Sequence, residues 1–400
     1  MEAFLRRTFV NLLAQTSLDN KRALYQHFQP SRLTGLIGPR GVGKTTLMLQ
    51  YIKEHLAADN EAFYFAADSV YFQQASLLEF VDTLYHLEGY RFFFIDEVHQ
   101  YDNWQQELKN LYDAFPDVSI VYSGSSMLEL RKGSHDLSRR AKVYHLPGLS
   151  FREYLSFAHG LDWPALSVED MLSDTSRINT FGQTPKLLSY FQAYLKQGYY
   201  PFVFEEPHTY QERLLRVIDK IIFEDIPHYY DLKTHNLTLF KRILSYLATI
   251  PPGEVNTNNI AKNMGVAHQT IFHYLTILES VGLVHLVYPI EGGNQYLRKP
   301  QKIFLHNTNL LIVLNQLVGA PIDKGTLREL YFVQALTDAQ QTVYYSKLGD
   351  FQTEKAMFEI GGKNKTAQQL RGAQLPSYVV KDDVVVAGKN SKPLWACGLI

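Results

Sequence analysis

Residues 38–45 read Gly-Pro-Arg-Gly-Val-Gly-Lys-Thr and fit G-x-x-x-x-G-K-[ST], a pattern that works only between a strand and a helix. Both neighbours are present in the sequence. An apolar run at 33–37 precedes it, and Leu47, Tyr51, Ile52 and Leu56 mark one helical face after it. Gly41 and Gly43 let the backbone wrap close to phosphate oxygens, while loop amides and the helix N-terminus supply positive potential. The segment Gly38, Pro39, Arg40, Gly41, Val42, Gly43, Lys44, Thr45 and Thr46 is therefore the expected nucleotide cradle. Lys44 is placed to reach the β and γ phosphates, and the Thr45 hydroxyl to bind Mg²⁺.

A second apolar run ends in two acids, Asp96 and Glu97. An aspartate at the carboxyl end of a buried strand can hold the shell of the metal, and a glutamate beside it can polarise an attacking water. Further apolar runs at 62–67, 118–122 and 143–146 alternate with helical stretches, which predicts a parallel sheet with helices on both faces. The extra strand at 62–67, together with Glu97, points to the hydrolysing additional-strand class of NTPases. No N-K-x-D guanine-reading motif stands in a suitable place, so ATP is expected rather than GTP. The run 118–122 leads into Ser123-Gly124-Ser125-Ser126, where a hydroxyl, Ser123 first, is a candidate sensor of the γ-phosphate or attacking water. Arg139 and Arg140 precede the run 143–146, and Arg140 is a candidate arginine finger.

At 400 residues the chain is too long for one ordinary domain. Its 39 lysines and arginines offset 40 acids, so any nucleic-acid surface must be a local patch. A single cysteine, Cys397, excludes an internal disulfide framework and an all-cysteine zinc site. No segment reaches the ~18 consecutive apolar residues of a membrane span. The N-terminal stretch lacks the features of a signal peptide, so a soluble cytoplasmic protein with no membrane partner is expected.

Beyond residue 150 the pattern changes three times. Residues 151–235 read as helices, broken near Gly182 and Gly198. Residues 236–300 have helix-turn-helix spacing: Phe240, Ile243, Leu244 and Leu247 on one face, a second helix at 259–264, a turn at Gly265, and a third helix at 269–280. Runs at 283–288 and 296–305 suggest a two-stranded wing. The third helix offers His268, Gln269, Thr270, His273 and Tyr274, none of them the usual Arg or Lys contact to phosphate or guanine. Basic residues sit in the wing instead, as Arg298, Lys299 and Lys302. DNA binding and protein contact are both compatible with this pattern. Residues 301–400 return to strands. There Asp350, then Glu359 and Lys363, form an acid-acid-lysine layout that can hold Mg²⁺ for phosphodiester cleavage, with Glu329 as an accessory acid.

The runs GPRGVGKTTL, FFFIDEVHQYDNW, IVYSGSSML and LSRRAKVYHLPGLSFREYL closely resemble a large prokaryotic family of predicted AAA+-like ATPases. The later GYYP, FEIGGKNK and PLW segments match it too, so the likeness covers nearly the whole chain. The resemblance implies an α/β fold: a P-loop NTPase core at 1–150, a helical lid at 151–235, a winged helix at 236–300 and a C-terminal restriction-endonuclease-like α/β domain at 301–400. It assigns ATP binding and hydrolysis to Lys44, Thr45, Asp96 and Glu97. Arg140 matches the arginine of the family's usual G-R pair, with Arg139 where the glycine is typical and Pro147 displaced by one.

The expected activity is Mg²⁺-dependent ATP hydrolysis, with Glu97, Lys44, Arg140 and Ser123 in the chemistry and Thr45 and Asp96 at the metal. Asp350 and Glu359 are a second candidate metal pair. Downstream, one reading has the ATP state controlling a winged helix and nuclease-like module on DNA. The other is a nucleotide-controlled switch that holds a protein partner or self-associates, without nuclease activity.

Overall fold

The computed structural model describes residues 2–56, 61–125, 137, 139–230, 232, 234–290 and 299–400. The chain divides into two compact units, Met1–Pro147 and Gly148–Ile400.

The first unit holds α1 (Glu2–Gln15), β1 (Leu33–Ile37), α2 (Lys44–His55), β2 (Ala62–Ala66), α3 (Leu77–Glu88), β3 (Phe92–Asp96), α4 (Trp104–Ala114), β4 (Ser119–Gly124) and β5 (Lys142–His145). Among the described residues these strands form a five-stranded sheet in the order β2-β3-β4-β1-β5, with every pair parallel. Parallel strands covered on both faces read as continuous apolar runs, and β1 and β2–β4 are accordingly buried along nearly their whole length. The strand lying between β1 and β3 is β4. The run at 62–67, which falls between the two motifs along the chain, lies at the edge of the sheet as β2.

This order places the carboxyl ends of β1, β4 and β3 side by side, so the loops after them open on one edge, where ligands bind in open α/β sheets. The core beneath is aromatic: Phe63, Phe65, Phe93 and Ile95 pack with Phe80, Leu84, Leu108 and Leu111 from α3 and α4. Each fully buried phenylalanine contributes about 2–3 kcal/mol by area removed from water. The Ser76 hydroxyl caps α3 by accepting from Leu78 N and Glu79 N, and Gly89 ends that helix in the left-handed conformation.

The second unit begins with helices at Phe151–His159, Val168–Ser173, Thr175–Gly182, Leu187–Gln197 and Tyr210–Lys220. The Ser150–Glu153 capping box starts the first of them. Helices at Thr234–Thr249, Thr257–Met264 and His268–Ser280 follow, with the expected turn at Gly265 (φ 72°). The strands β6 (Val284–Val287) and β7 (Lys302–Leu305) pair antiparallel as a ribbon. Its second strand lies beyond residue 300, so the ribbon crosses the expected boundary there. Helices Thr308–Val318 and Lys324–Asp338 lead to β8 (Tyr344–Tyr345), β9 (Phe351–Gln352), β10 (Met357–Gly361), β11 (Ser377–Lys381) and β12 (Ser391–Pro393). Among the described residues these form a mixed sheet in the order β12-β11-β10-β9-β8.

Two interior networks hold this unit together. Asn309 accepts from Tyr199 N at 2.9 Å and donates to Leu195 O at 2.8 Å, tying the helix Thr308–Val318 to the end of Leu187–Gln197. Gln334 accepts from Thr308 N at 3.1 Å and donates to the Tyr194 hydroxyl at 3.1 Å. Buried amides satisfied on both sides fix a packing register that apolar contacts alone would leave adjustable. No helix among the described residues is long and apolar enough to cross a membrane.

Candidate functional site

The site at the edge of the first sheet is built by the turns after β1, β3 and β4. Gly41 and Gly43 both have positive φ, 83° and 96°, conformations a side chain would strain. Gly38 is fixed by crowding, because a Cβ there would stand 2.1 Å from Leu146 O at the exit of β5. Lys44 is buried, and its ammonium donates to Gly38 O and Pro39 O, both at 2.9 Å. The loop's own carbonyls thus hold the lysine head where it can turn to incoming phosphate oxygens.

Four neutral donors converge on the Asp96 carboxylate, which is 3% exposed. Thr45 Oγ1 donates to Oδ2 at 2.5 Å, and the Tyr64 hydroxyl donates to the same oxygen at 2.8 Å. The Ser123 hydroxyl and Glu97 N donate to Oδ1, the latter at 3.1 Å. Burial and the Asp96 charge push the Tyr64 phenol up, so it stays a proton donor. The hydroxyl of Thr45 and the carboxylate of Asp96 are hard oxygen donors in direct contact, a pair that fits Mg²⁺. Few protein ligands are needed in such a site, because phosphates and water complete the shell. Among the described residues no group of three or more His, Cys, Asp or Glu side chains is arranged to hold a metal.

Glu97 stands at φ 50°, unusual for a residue with a side chain. Its carboxylate lies 3.3 Å from the Nδ1 of His99, which is itself buried, and 4.0 Å from the Arg40 guanidinium. Ser123, expected as a sensor of phosphate or water, points its hydroxyl at Asp96 and accepts from Glu97 N at 3.2 Å. Here it pins both acids. Ser126 lies outside the described residues. Arg140 pairs with Asp113 on α4 at 3.5 Å and stands 5.8 Å from the Tyr112 ring centroid. The cradle thus brings together Lys44, Thr45, Asp96, Glu97 and Ser123. Sequence reading missed Tyr64 and His99. The only signal for Tyr64 is a hydroxyl inside an apolar strand, and for His99 a titratable group two residues past Glu97.

The second unit gathers the other candidates differently. The β7 ammonium of Lys302 reaches Glu329 at 2.7 Å and Asp350 at 3.3 Å. Asp350 also accepts from Ile360 N at 2.8 Å. Glu359 is fully buried and paired with Lys365, while Gln369, its amide nitrogen inward, donates to both oxygens at 2.7 and 2.9 Å. The lysine beside Glu359 is therefore Lys365, not Lys363. A Cβ at Gly361 would meet the Lys365 side chain at 2.6 Å, so Lys365 lies across the space of a side chain two residues after Glu359. Burial pushes the carboxyls of Glu329 and Glu359 up, against the lowering pull of their lysines. Asp350 and Glu359, the expected second metal pair, are each paired with an ammonium group in this arrangement, Lys302 and Lys365 respectively.

The third helix, His268–Ser280, is also less exposed than expected. Tyr274 is buried and stacks on Phe240 with ring centroids 4.6 Å apart. His268 bonds the Thr257 hydroxyl at 2.6 Å. Gln269 and His273 remain exposed. Of the basic residues expected in a wing, Lys299 is exposed, Lys302 is buried, and Arg298 lies outside the described residues.

Residues 30–155 match a family described as an AAA domain, and residues 188–320 match a domain of unknown function (DUF8612). The chain is 26% identical to uncharacterized protein MJ1637 of Methanocaldococcus jannaschii, over 93% of this chain and 85% of that protein. It is 22% identical to uncharacterized protein MJ1544 of the same organism, over 64% of this chain and 57% of that one. Among solved structures, the S. cerevisiae Hsp104–ADP complex is similar at 15% identity and TM-score 0.31, covering 69% of this chain and 38% of that one. AMPPCP-bound DnaA from Aquifex aeolicus is similar at 16% identity and TM-score 0.27, covering 69% of this chain and 88% of that one.

Proposed function

We propose that the AAA-type domain of this protein binds ATP with Mg²⁺ and hydrolyses it. The observation that carries this is the contact of Thr45 Oγ1 with Asp96 Oδ2 at the mouth of the phosphate loop, with Glu97 next in the chain. Loop amides and the Lys44 ammonium would bind the phosphates. The metal, when bound, would neutralise charge on the phosphate oxygens. Glu97 would accept a proton from the attacking water, and its unusual backbone conformation sets where that carboxylate stands. His99 and Arg40 would orient the carboxylate until phosphate draws Arg40 away. Arg140 would act as a finger only after leaving Asp113.

The test is ATP turnover and ATP binding by the full chain. Lys44→Ala should remove both, and Glu97→Gln should keep binding while slowing turnover about a hundredfold or more. Wild-type turnover in both variants would sink the assignment.

For the second unit, the reading that fits best is a nucleotide-controlled switch that holds a protein partner. Lys302 is paired with Glu329 and Asp350, and the third helix, His268–Ser280, with Gln269 and His273 exposed, carries neither Arg nor Lys. The rival reading, a winged helix and nuclease-like module acting on DNA, has Lys299 and the layout of Asp350 and Glu359 in its favour. Incubation with labelled duplex and single-stranded DNA, with Mg²⁺ and with or without ATP, separates them. Cleavage that vanishes in Asp350→Ala, or DNA affinity that falls steeply with salt, would overturn the switch.

A further inference from the structure

We infer that Arg22 is a positioning residue of the nucleotide site, delivered beneath the phosphate loop by a strap clamped on α2. This rests on the ATP reading of that loop. The strap is residues 16–25, between α1 and β1. Lys53 of α2 donates to Thr16 O at 2.6 Å, and Gln50, buried in the same helix, donates to Ser17 O and Asn20 O at 2.9 and 3.0 Å. Lys21 pairs with Glu54 at 2.6 Å, and the Tyr25 hydroxyl bonds the same carboxylate. Three side chains of one helix thus fix the path of the strap.

At its centre Arg22 is 5% exposed. Nη1 donates to Val42 O at 2.6 Å, and Nη2 donates to Pro147 O at 2.9 Å. Val42 lies between the two left-handed glycines of the loop. A phosphate cradle works when its amides face the anion and its carbonyls face away. The Val42 carbonyl is the group most able to undo this, because the glycines on either side leave its peptide free to turn. A guanidinium holds it outward and leaves a buried positive charge behind the loop. The planar fork matters, since its second arm anchors on the segment leaving β5. That segment is also bonded to the start of the loop: Leu146 N donates to Ile37 O at 2.8 Å, and Leu146 O crowds Gly38. Both ends of the loop are therefore stitched to Leu146–Pro147, one through the backbone and one through Arg22.

The experiment compares Arg22→Ala, Arg22→Lys and Gln50→Ala with wild type, with Lys44→Ala alongside. Arg22→Ala should raise KM for ATP about tenfold or more while kcat at saturation changes by less than about threefold. Millimolar guanidinium should lower that KM again in Arg22→Ala and leave Lys44→Ala inactive. Arg22→Lys should fall between, because one point charge cannot serve both carbonyls. Gln50→Ala should shift KM in the same direction by a smaller factor. In nucleotide-free protein, amide exchange at residues 41–43 should quicken in Arg22→Ala and Arg22→Lys. A folded Arg22→Ala with wild-type KM and wild-type exchange overturns the inference. If that variant does not fold, wild-type KM and exchange in Arg22→Lys overturn it equally. A wild type that neither binds nor hydrolyses ATP would instead sink the ATP reading, and the exchange measurement would still judge Arg22.

Discussion

Asp96 at the end of β3 and Glu359 in the middle of β10 are both buried carboxylates on strands, and both are well bonded, but by donors of different charge. Asp96 is held by hydroxyls of Thr45, Tyr64 and Ser123 and by a backbone amide. Glu359 is held by an ammonium and an amide, and its neighbours Glu329 and Asp350 share a second ammonium. Neutral donors orient a carboxylate and leave its charge for a cation. Ammonium groups orient it and cancel the charge. A cluster of acids is therefore no guide to metal binding until the charge of its partners is known.

The largest effect that probes this contrast is on Asp96. Asp96→Asn should lower ATP turnover about a hundredfold or more at fixed Mg²⁺. Glu359→Gln should leave turnover near wild type and lower the melting temperature. Loss of turnover in Glu359→Gln, or none in Asp96→Asn, would break the comparison. Next is Lys302→Met. Removing one partner of a mostly buried pair leaves Glu329 and Asp350 uncompensated, so denaturant unfolding should show a loss of about 2–4 kcal/mol with KM for ATP unchanged. A stabilised variant that gains divalent-metal affinity would instead make Lys302 a plug over a metal site.

A third measurement separates the ionic cluster from the other titrating groups of that unit. Burial holds the His285 imidazole down to about 4. Its ring stacks on His306, also held low by burial and by His285. The sign follows from the unfolded chain, which takes up protons near pH 6.5 where the folded chain does not. The stability from neutral His285 is full above about 6.5 and lost as pH falls through about 4. His285→Gln should flatten the acid limb of unfolding free energy against pH by roughly 2–3 kcal/mol, with His306 contributing to what remains. An unchanged acid limb would count against it. The smallest effect is expected from Tyr64→Phe. One donor to the Asp96 oxygen shared with Thr45 is lost, so half-saturating Mg²⁺ should rise a few-fold with binding of metal-free nucleotide unaltered. Equal shifts in both would mean that Tyr64 only packs.

Much of the first unit was legible because its chemistry is local. The phosphate loop needs glycines, a lysine and a threonine at fixed spacing, and the acids must follow a buried strand, so both appear as continuous strings. The strand order was not legible. The run at 62–67 lies between the motifs in sequence and at the sheet edge in space, because parallel connections let β4 enter beside β1 after β2 has been laid outside β3. Tyr64 and Arg22 were invisible for a related reason: each acts on a residue 20 or more positions away. In the second unit, the layout of Asp350, Glu359 and a lysine was visible, but the lysine was misplaced by two. The chain after Gly361 folds back so that Lys365 crosses the glycine.

Sequence alone determined the phosphate-loop motif, the strand ending in two acids, the alternating strands and helices, and the helix-turn-helix spacing. These are short-range demands of backbone conformation and hydrophobic period. Tertiary structure decided which charges meet. It set hydroxyls around Asp96, lysines around Glu329, Asp350 and Glu359, and a guanidinium behind Val42. Electrostatic partnership depends on distance in space and on burial, and neither is written in the spacing of residues along the chain.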